Sequence, residues 1–336
     1  MAHLVESVYE YEVSPAEAGR RLDVYLAGRG LPWSRSQIRR RIEEGEVLVD
    51  DAPGRPAQRL RSGQRVRFCP APPRQPRDLP EPIPLSVLYE DPHLIVIDKP
   101  AGLVVHPAPG HEQGTLVNAL LHHCGTLPDP PRRPISSDPE EDDVALGGLC
   151  TSGERRPGIV HRLDQGTSGV LVCAKDELTL IGLQAQFAAH RIQRRYLAVV
   201  EGSPPDTGTF CTPYGRHPTD RRRFTGRAGP RRAVTHFAVA ERLPGAALLR
   251  IELETGRTHQ IRVHLSEAGY PVLGDPLYGR SRSPRLRELG RALGRQALHA
   301  EMLGFVHPIL GRPMSWTAPL PADLAELLRR LRGEAP

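Results

Sequence analysis

Residues 70–84, PAPPRQPRDLPEPIP, hold seven prolines in fifteen positions. Each proline lacks a backbone donor and has a fixed φ, so neither a helix interior nor a central strand can run through this stretch. An extended, semi-rigid connection is expected instead. It divides the 336-residue chain into a short amino-terminal part and a part long enough for a full-sized domain. The expected organisation is an extension over 1–18, a small domain over 19–69, the connection over 70–84 and a large domain over 85–332.

The small domain carries the charge. Residues 19–67 contain 12 Arg against 6 Asp plus Glu, an excess equal to the formal net charge of +6 of the whole chain; the remainder balances 33 basic against 33 acidic residues. A basic patch releases counterions from a polyanion, so phosphate contact explains the clustering better than general solvation. SRSQIRRRIEEG, residues 34–45, opens on a serine start signal and closes on a glycine stop signal. Ile38 and Ile42 lie one turn apart and mark an inward face, leaving Arg35, Arg39 and Arg41 to point outward. Residues 46–50 read as a strand, 51–54 as a turn and 64–68 as a second strand.

Beyond the connection, candidate strands and helices alternate, beginning with LIVI at 94–97 ahead of DKPAG at 98–102. The pattern indicates an α+β domain. Leu249, Ile251 and Leu253 alternate with Arg250, Glu252 and Glu254, the mark of a sheet packed on one side and wet on the other, and such sheets are usually antiparallel. Residues 128–156 combine 7 acidic residues with many Pro, Gly and Ser and read as a disordered surface insertion. The five cysteines form no Cys-x-x-Cys pair, so neither a disulfide framework nor a metal site is indicated; His122-His123-Cys124 reads as helix-end packing. There is no Walker loop, no glycine-rich dinucleotide fingerprint and no His-Glu-x-x-His. No apolar run reaches the roughly 18 residues of a membrane span. The polar, acidic start is unlike a secretory signal, so no membrane partner and a cytoplasmic location are expected.

The chemical signal lies in PGIVHRLDQGTSGVLVCAKD, residues 157–176. Gly158-Ile159-Val160 and Val170-Leu171-Val172 read as strands, yet His161, Arg162 and Asp164 put three ionisable groups between them. Gly166-Thr167-Ser168-Gly169 follows, so the Asp164 carboxylate sits at a tight turn. On residue chemistry alone, a turn aspartate bonding its own backbone and a catalytic carboxylate fit equally well.

His161-Arg162-Leu163-Asp164, with Gly166-Thr167-Ser168-Gly169 and Ala174-Lys175, resembles the signature of the RluA-type RNA pseudouridine synthases. The resemblance continues through DKPAGLVVHP at 98–107, Arg195-Tyr196, ETGRTHQIRVH at 254–264 and GDPLYG at 274–279. The basic amino-terminal part resembles the S4-like RNA-binding domain. Together these cover nearly all of residues 19–331 and point to synthases of the large ribosomal subunit. The insertion at 128–156 departs from the family, which usually crosses to its active-site strand by a shorter loop.

The resemblance implies a pseudouridine synthase fold: a mixed, mainly antiparallel central sheet flanked by helices and loops, with a small α/β S4-like domain. It implies an isomerase that detaches uracil from its ribose, turns it and rejoins it through carbon 5, with no cofactor and no metal. Breaking an N-glycosidic bond builds positive charge on the sugar, which one carboxylate can stabilise, attack or relieve by removing a ribose proton. By the same resemblance Asp164 is the catalytic aspartate, Tyr196 the aromatic residue against the target base, Arg262 the basic partner of Asp164, and Arg162 the side chain that fills the gap left by the flipped base.

Each residue also has a plain reading. Tyr196 fits the first core residue of a strand over 196–200. Thr258 fits the cap of a helix ending at Gly269 whose buried face holds Ile261, Leu265 and Ala268, with Arg262 at the border, where an arginine snorkels or reaches a buried carboxylate. Arg221, Arg222 and Arg223 fit a mobile basic loop between strands, plain solvated surface on the one reading and, on the preferred one, a contact to RNA phosphates. The expected activity is uridine isomerisation in 23S ribosomal RNA by a monomer. Its rivals are a non-catalytic RNA-binding or assembly factor on the same fold, a synthase acting on tRNA, and a hydrolase of free nucleosides. A pure binder has no need of a carboxylate that repels phosphate, and a nucleoside hydrolase has no need of the basic domain.

Overall fold

The computed structural model describes residues 8–31, 33, 35–70, 79–106, 111, 113–129, 157–220, 222–279, 281 and 283–334. The expected disordered insertion, apart from Pro128 and Asp129, lies outside these residues, as do Ser34 and Arg221. The described residues divide into two compact units, the first holding those up to 70 and the second those from 79 onward.

In the first unit a four-stranded antiparallel sheet runs in the order β1 (Tyr9–Glu12), β4 (Arg65–Phe68), β2 (Val47–Val49), β3 (Ala52–Pro53). The helices α1 (Leu22–Ala27) and α2 (Arg35–Glu43) share a buried cluster with it in which Leu22, Leu26, Ile38, Ile42, Val66 and Phe68 meet. The inward isoleucine pair of α2 is therefore where its spacing puts it. The turn is not at 51–54. Asp50 and Asp51 adopt left-handed φ of 51° and 61°, the backbone of a two-residue hairpin turn whose twist matches the strands, and Ala52 and Pro53 form the returning strand. Asp50 also accepts the Arg65 backbone N–H at 2.9 Å, which tolerates and anchors that conformation.

The second unit is built on ten strands. Along the sheet the order is β10 (Phe224–Thr225), β9 (Thr207–Arg216), β11 (Arg231–Leu243), β12 (Ala246–Leu253), β8 (Gln193–Glu201), β13 (Leu298–Val306), β7 (Ser168–Ala174), β6 (Leu94–Lys99), β5 (Ser86–Glu90), with β14 (Pro313–Thr317) also on β13. Every pairing of these ten strands is antiparallel except β13 with β7. Leu249 and Ile251 of β12 are buried and Arg250 and Glu252 exposed, as the alternation requires. β7 is buried along its whole length: Leu171 and Cys173 join one core with Ile95 and Ile97, while Val170, Val172 and Ala174 join another with Leu94 and Val96. Alternate residues point to opposite faces, so the strand is apolar on both. The first core also takes α3 (Leu116–Cys124), α5 (Gln260–Glu267), α6 (Pro284–Leu293) and α7 (Ala322–Arg332), and the second takes α4 (Glu177–Ala188).

Two expected elements change. Gly158-Ile159-Val160 is not a strand, because Gly158 turns the chain at φ 69° and Ile159 makes only a single bridge to Cys173. The later half of the proline-rich connection is docked: Asn118 donates to the Leu79 carbonyl at 2.8 Å, and Glu81 Oε1 accepts the Gly114 N–H at 3.0 Å. His122 to Cys124 do close a helix, and His123 pairs with Glu90 at 2.8 Å. No helix among the described residues is long and apolar enough to cross a membrane.

Candidate active site

The turn beside Asp164 is closed by backbone, the Thr167 N–H donating to the Asp164 carbonyl at 2.9 Å. The carboxylate is thereby released from the turn and lines a pocket with Arg162, Arg194, Tyr196, His259 and Arg262. The turn is held from behind. Arg295 donates to the Gly166 carbonyl at 3.1 Å, and Gln296 donates to the Thr167 hydroxyl at 3.1 Å. At Gly169, with φ 115°, a Cβ would overlap the Ala300 backbone of β13, so only glycine permits this close parallel crossing. Lys99, fully buried, donates to the carbonyls of Pro100 at 2.8 Å, Leu103 at 2.9 Å and Gln165 at 3.3 Å. It ties the loop after β6 to the residue next to Asp164. Burial pushes its ammonium down to about 7.

Arg262 is not at the border of its helix face. Its side chain is 6 % exposed, and it is divided between two carboxylates. Nε and Nη2 hold Asp275 at 2.7 and 2.9 Å, while Nη1 donates to Asp164 Oδ2 at 2.8 Å. Asp275 in turn accepts the backbone N–H groups of Leu277 at 2.8 Å and Tyr278 at 2.9 Å. A bidentate pair fixes the guanidinium plane, and the third donor therefore reaches Asp164 from a set direction. Burial pushes the Asp164 carboxyl up, but the facing His259, Arg262 and Arg162 more than offset it and hold it below the usual carboxylate range. Burial also keeps His259 below its ordinary value, so at neutral pH the two arginines carry this effect. Asp164 is an ionised carboxylate in a largely desolvated place.

Thr258 is not the cap of α5. The residue before the helix is His259, in the left-handed region at φ 59° and ψ 14°, and the Thr258 carbonyl instead accepts the Tyr214 hydroxyl at 2.6 Å. His259 Nδ1 lies 3.0 Å from the Tyr278 hydroxyl and its Nε2 lies 4.0 Å from Asp164 Oδ1. Tyr196, on β8, is both core residue and pocket wall; it belongs to the large apolar cluster and lines the pocket. Two positions before it on the same face, Arg194 donates to the Glu254 carbonyl at 2.8 Å. His161 is structural: Nε2 accepts the Val172 N–H at 3.0 Å, the ring stacks on Phe187, and burial pushes it down to about 3. Arg162 lines the pocket. Asp164, Tyr196, Arg262 and Arg162 are thus brought together. Sequence reasoning missed Asp275, His259 and Arg194; the first two lie inside the quoted stretches GDPLYG and ETGRTHQIRVH, and nothing local marks the pairings they make.

The basic residues divide. Arg35 pairs with Asp23 at 2.8 Å, Arg39 with Glu43 at 3.0 Å and Arg40 with Glu44 at 2.9 Å, all with exposed guanidiniums. Arg41 does not point outward: it is 24 % exposed, pairs with Glu46 at 2.6 Å and lies 4.6 Å over the Trp33 ring. Arg222 is exposed. Arg223 is turned in, 5.2 Å over the Tyr278 ring. The segment between β9 and β10 is a hydrogen-bonded turn, with His217 N–H donating to the Arg223 carbonyl at 2.9 Å and Arg223 N–H to the Asp220 carbonyl at 3.0 Å.

A family model described as RNA pseudouridylate synthase matches residues 93–267, and an S4 domain model matches residues 20–66. The chain is 42 % identical over 339 residues to ribosomal large subunit pseudouridine synthase D of Xanthomonas campestris pv. campestris, covering 99 % of this chain and 95 % of that one. It is 47 % identical over 332 residues to an uncharacterized RNA pseudouridine synthase of Chloroflexus aurantiacus, covering 96 % and 93 %. Among solved structures, human RNA pseudouridylate synthase domain containing 4 matches with a TM-score of 0.52 at 27 % identity, over 74 % of this chain and 93 % of that one.

Proposed function

The chain belongs to the RNA pseudouridylate synthase family, and on that premise we propose that it converts specific uridines of large-subunit ribosomal RNA to pseudouridine. The observation that carries the reading is the Asp164 carboxylate, freed from its own turn, held ionised by Arg262 and set beside Tyr196 in one pocket.

In this reading Asp164 acts on the target ribose. Loss of the uracil leaves the sugar electron-deficient, and an anion with one oxygen fixed and the other open to the pocket is suited to stabilise it, attack it or take a ribose proton. Arg262 keeps the carboxylate deprotonated and aimed, and Asp275 keeps Arg262 aimed. Tyr196 offers a ring for the uracil to pack against while it turns. A uridine in structured RNA must leave its stack to enter such a pocket, and Arg162 at the pocket wall is the group that fills the vacated place. The amino-terminal unit, with Arg35, Arg39 and Arg40 exposed, and the segment at Arg222 supply phosphate contacts. The chemistry balances within the nucleotide: the bond from the sugar to N1 is exchanged for one to carbon 5, carbon 5 gives up its proton, and N1 takes one up.

The test is tritium release from carbon 5 of labelled uridine in large-subunit ribosomal RNA transcripts, with the product mapped. Release at discrete positions is expected. RNA binding without any release would favour the assembly-factor reading, and release from tRNA alone would move the substrate.

A further inference from the structure

Two polar atoms face the pocket with no hydrogen-bond partner among the described residues: Asp164 Oδ1 and His259 Nε2. They lie 4.0 Å apart, too far to bond each other. The proton on the imidazole can be located. The Tyr278 hydroxyl accepts the Phe224 backbone N–H at 2.9 Å, a group that only donates, and among the described residues His259 Nδ1, at 3.0 Å, is the one acceptor in reach of its own proton. Nδ1 is therefore an acceptor and the neutral ring carries its proton on Nε2. The ring is held there by a left-handed backbone at φ 59°, a conformation that residues other than glycine keep only where the surroundings fix it. The pocket thus presents a donor and an acceptor side by side.

The group that satisfies both at once is a hydroxyl, which accepts one hydrogen bond and donates another. An oxygen about 2.8 Å from each atom would see them at an angle of about 90°, within the spread of hydroxyl hydrogen bonds. Within an RNA chain the 3′ and 5′ oxygens are esterified, so the only free ribose hydroxyl is the 2′, one bond from the carbon next to the glycosidic centre. Resting on the functional reading above, we propose that His259 and Asp164 together hold the 2′-hydroxyl of the target nucleotide, His259 donating to it and Asp164 accepting from it. His259 is then a substrate-binding residue, Tyr278 a positioning residue that sets its tautomer, and the pocket distinguishes ribose from deoxyribose at the target.

The experiment compares two RNA oligonucleotides spanning a mapped position, identical except for uridine or 2′-deoxyuridine at the target. Single-turnover rates and Kd are measured for the wild type, His259→Asn and Tyr278→Phe; Asn tolerates the left-handed backbone. The wild type should lose about 30-fold on the deoxy target, where both bonds go, and His259→Asn about 5-fold on the ribose target, where one goes. On the deoxy target His259→Asn should match the wild type within about two-fold. Tyr278→Phe should show the same pattern more weakly. A deoxy target too slow to convert is still read by its Kd. Equal wild-type performance on both targets, or a His259→Asn loss of the same size on both, would overturn the proposal while leaving the enzyme's activity standing. A wild type that forms no pseudouridine in ribose RNA would overturn the functional reading itself, and this proposal with it.

Discussion

Arg39 in the amino-terminal unit is 62 % exposed and meets Glu43 one turn along its own helix, whereas Arg262 is 6 % exposed and is shared between Asp164 and Asp275. The first pair sits in high dielectric, where Coulomb attraction is weak and readily exchanged, so Arg39 can leave Glu43 for a phosphate at little cost. The second is desolvated, and removing one member strands the others. Arg39 is exchangeable charge and Arg262 a fixed scaffold. Affinity for RNA and chemistry on RNA should therefore respond to different arginines.

The sharpest break in that contrast is at Asp164. Asp164→Asn keeps the backbone turn and removes the anion, so we expect about 10⁴-fold less tritium release with RNA affinity close to normal; near-normal release from the folded variant would remove the catalytic assignment. Asp275→Ala leaves Arg262 with one carboxylate of two, and a stability loss of about 3–5 kcal/mol is expected by denaturant titration, accompanied by lost activity. An Asp275→Ala protein as stable as the wild type would mean that the buried cluster is no scaffold. Replacing Arg35, Arg39 and Arg40 together by Gln should weaken RNA binding roughly ten-fold and lower the slope of log Kd against log salt by about 2–3. The turnover rate at saturating RNA should be unchanged, and an unchanged slope would refute the exchangeable role.

The smallest effect expected is in pH. His259 faces Asp164, Arg262, Arg162 and Asp275, besides the Tyr278 hydroxyl and the Phe224 ring. Burial first, then the two arginines, hold its pKa below the ordinary 6.5, against the pull of the two carboxylates. Protonation would place a hydrogen on Nδ1, where the Tyr278 hydroxyl already donates. With Asp164 held below its usual 3.8, the single-turnover rate should be flat down to pH 6.5 and fall a few-fold only below it. His259→Asn should lose that fall, and a fall centred above 6.5 would contradict the burial argument.

How far the sequence led depended on whether local spacing settles the matter. The alternation of Leu249 and Ile251 with Arg250 and Glu252 placed β12 correctly because strand periodicity is local. In the proline-rich stretch, nothing local showed that Leu79 and Glu81 would dock beside α3. Asp164 stayed undecided from residue chemistry because a turn and a catalytic site ask for the same side chain; the family motif favoured one reading, and the backbone bond from Thr167 shows how the carboxylate is freed. Arg41 was misread because it lies three residues from Ile38 and hence near the inner face, where Trp33 receives it. Thr258 was misread because a cap signal does not foresee the left-handed His259. The link from Arg262 to Asp164 spans 98 residues, and no periodicity reaches that far.

Only two of the chain's 45 basic residues are lysines, Lys99 and Lys175. Lys99 is sealed beneath the Asp164 turn by three carbonyls, and Lys175 is engaged with Glu90 and the Asp91 carbonyl. Acylating reagents that seek lysine side chains thus find both of them engaged. Burial holds the Lys99 amine down to about 7, so it regains an ordinary lysine pKa when the turn opens, and only then can a reagent reach it. The rate at which it takes up such a label is a built-in clock for the breathing of the catalytic turn.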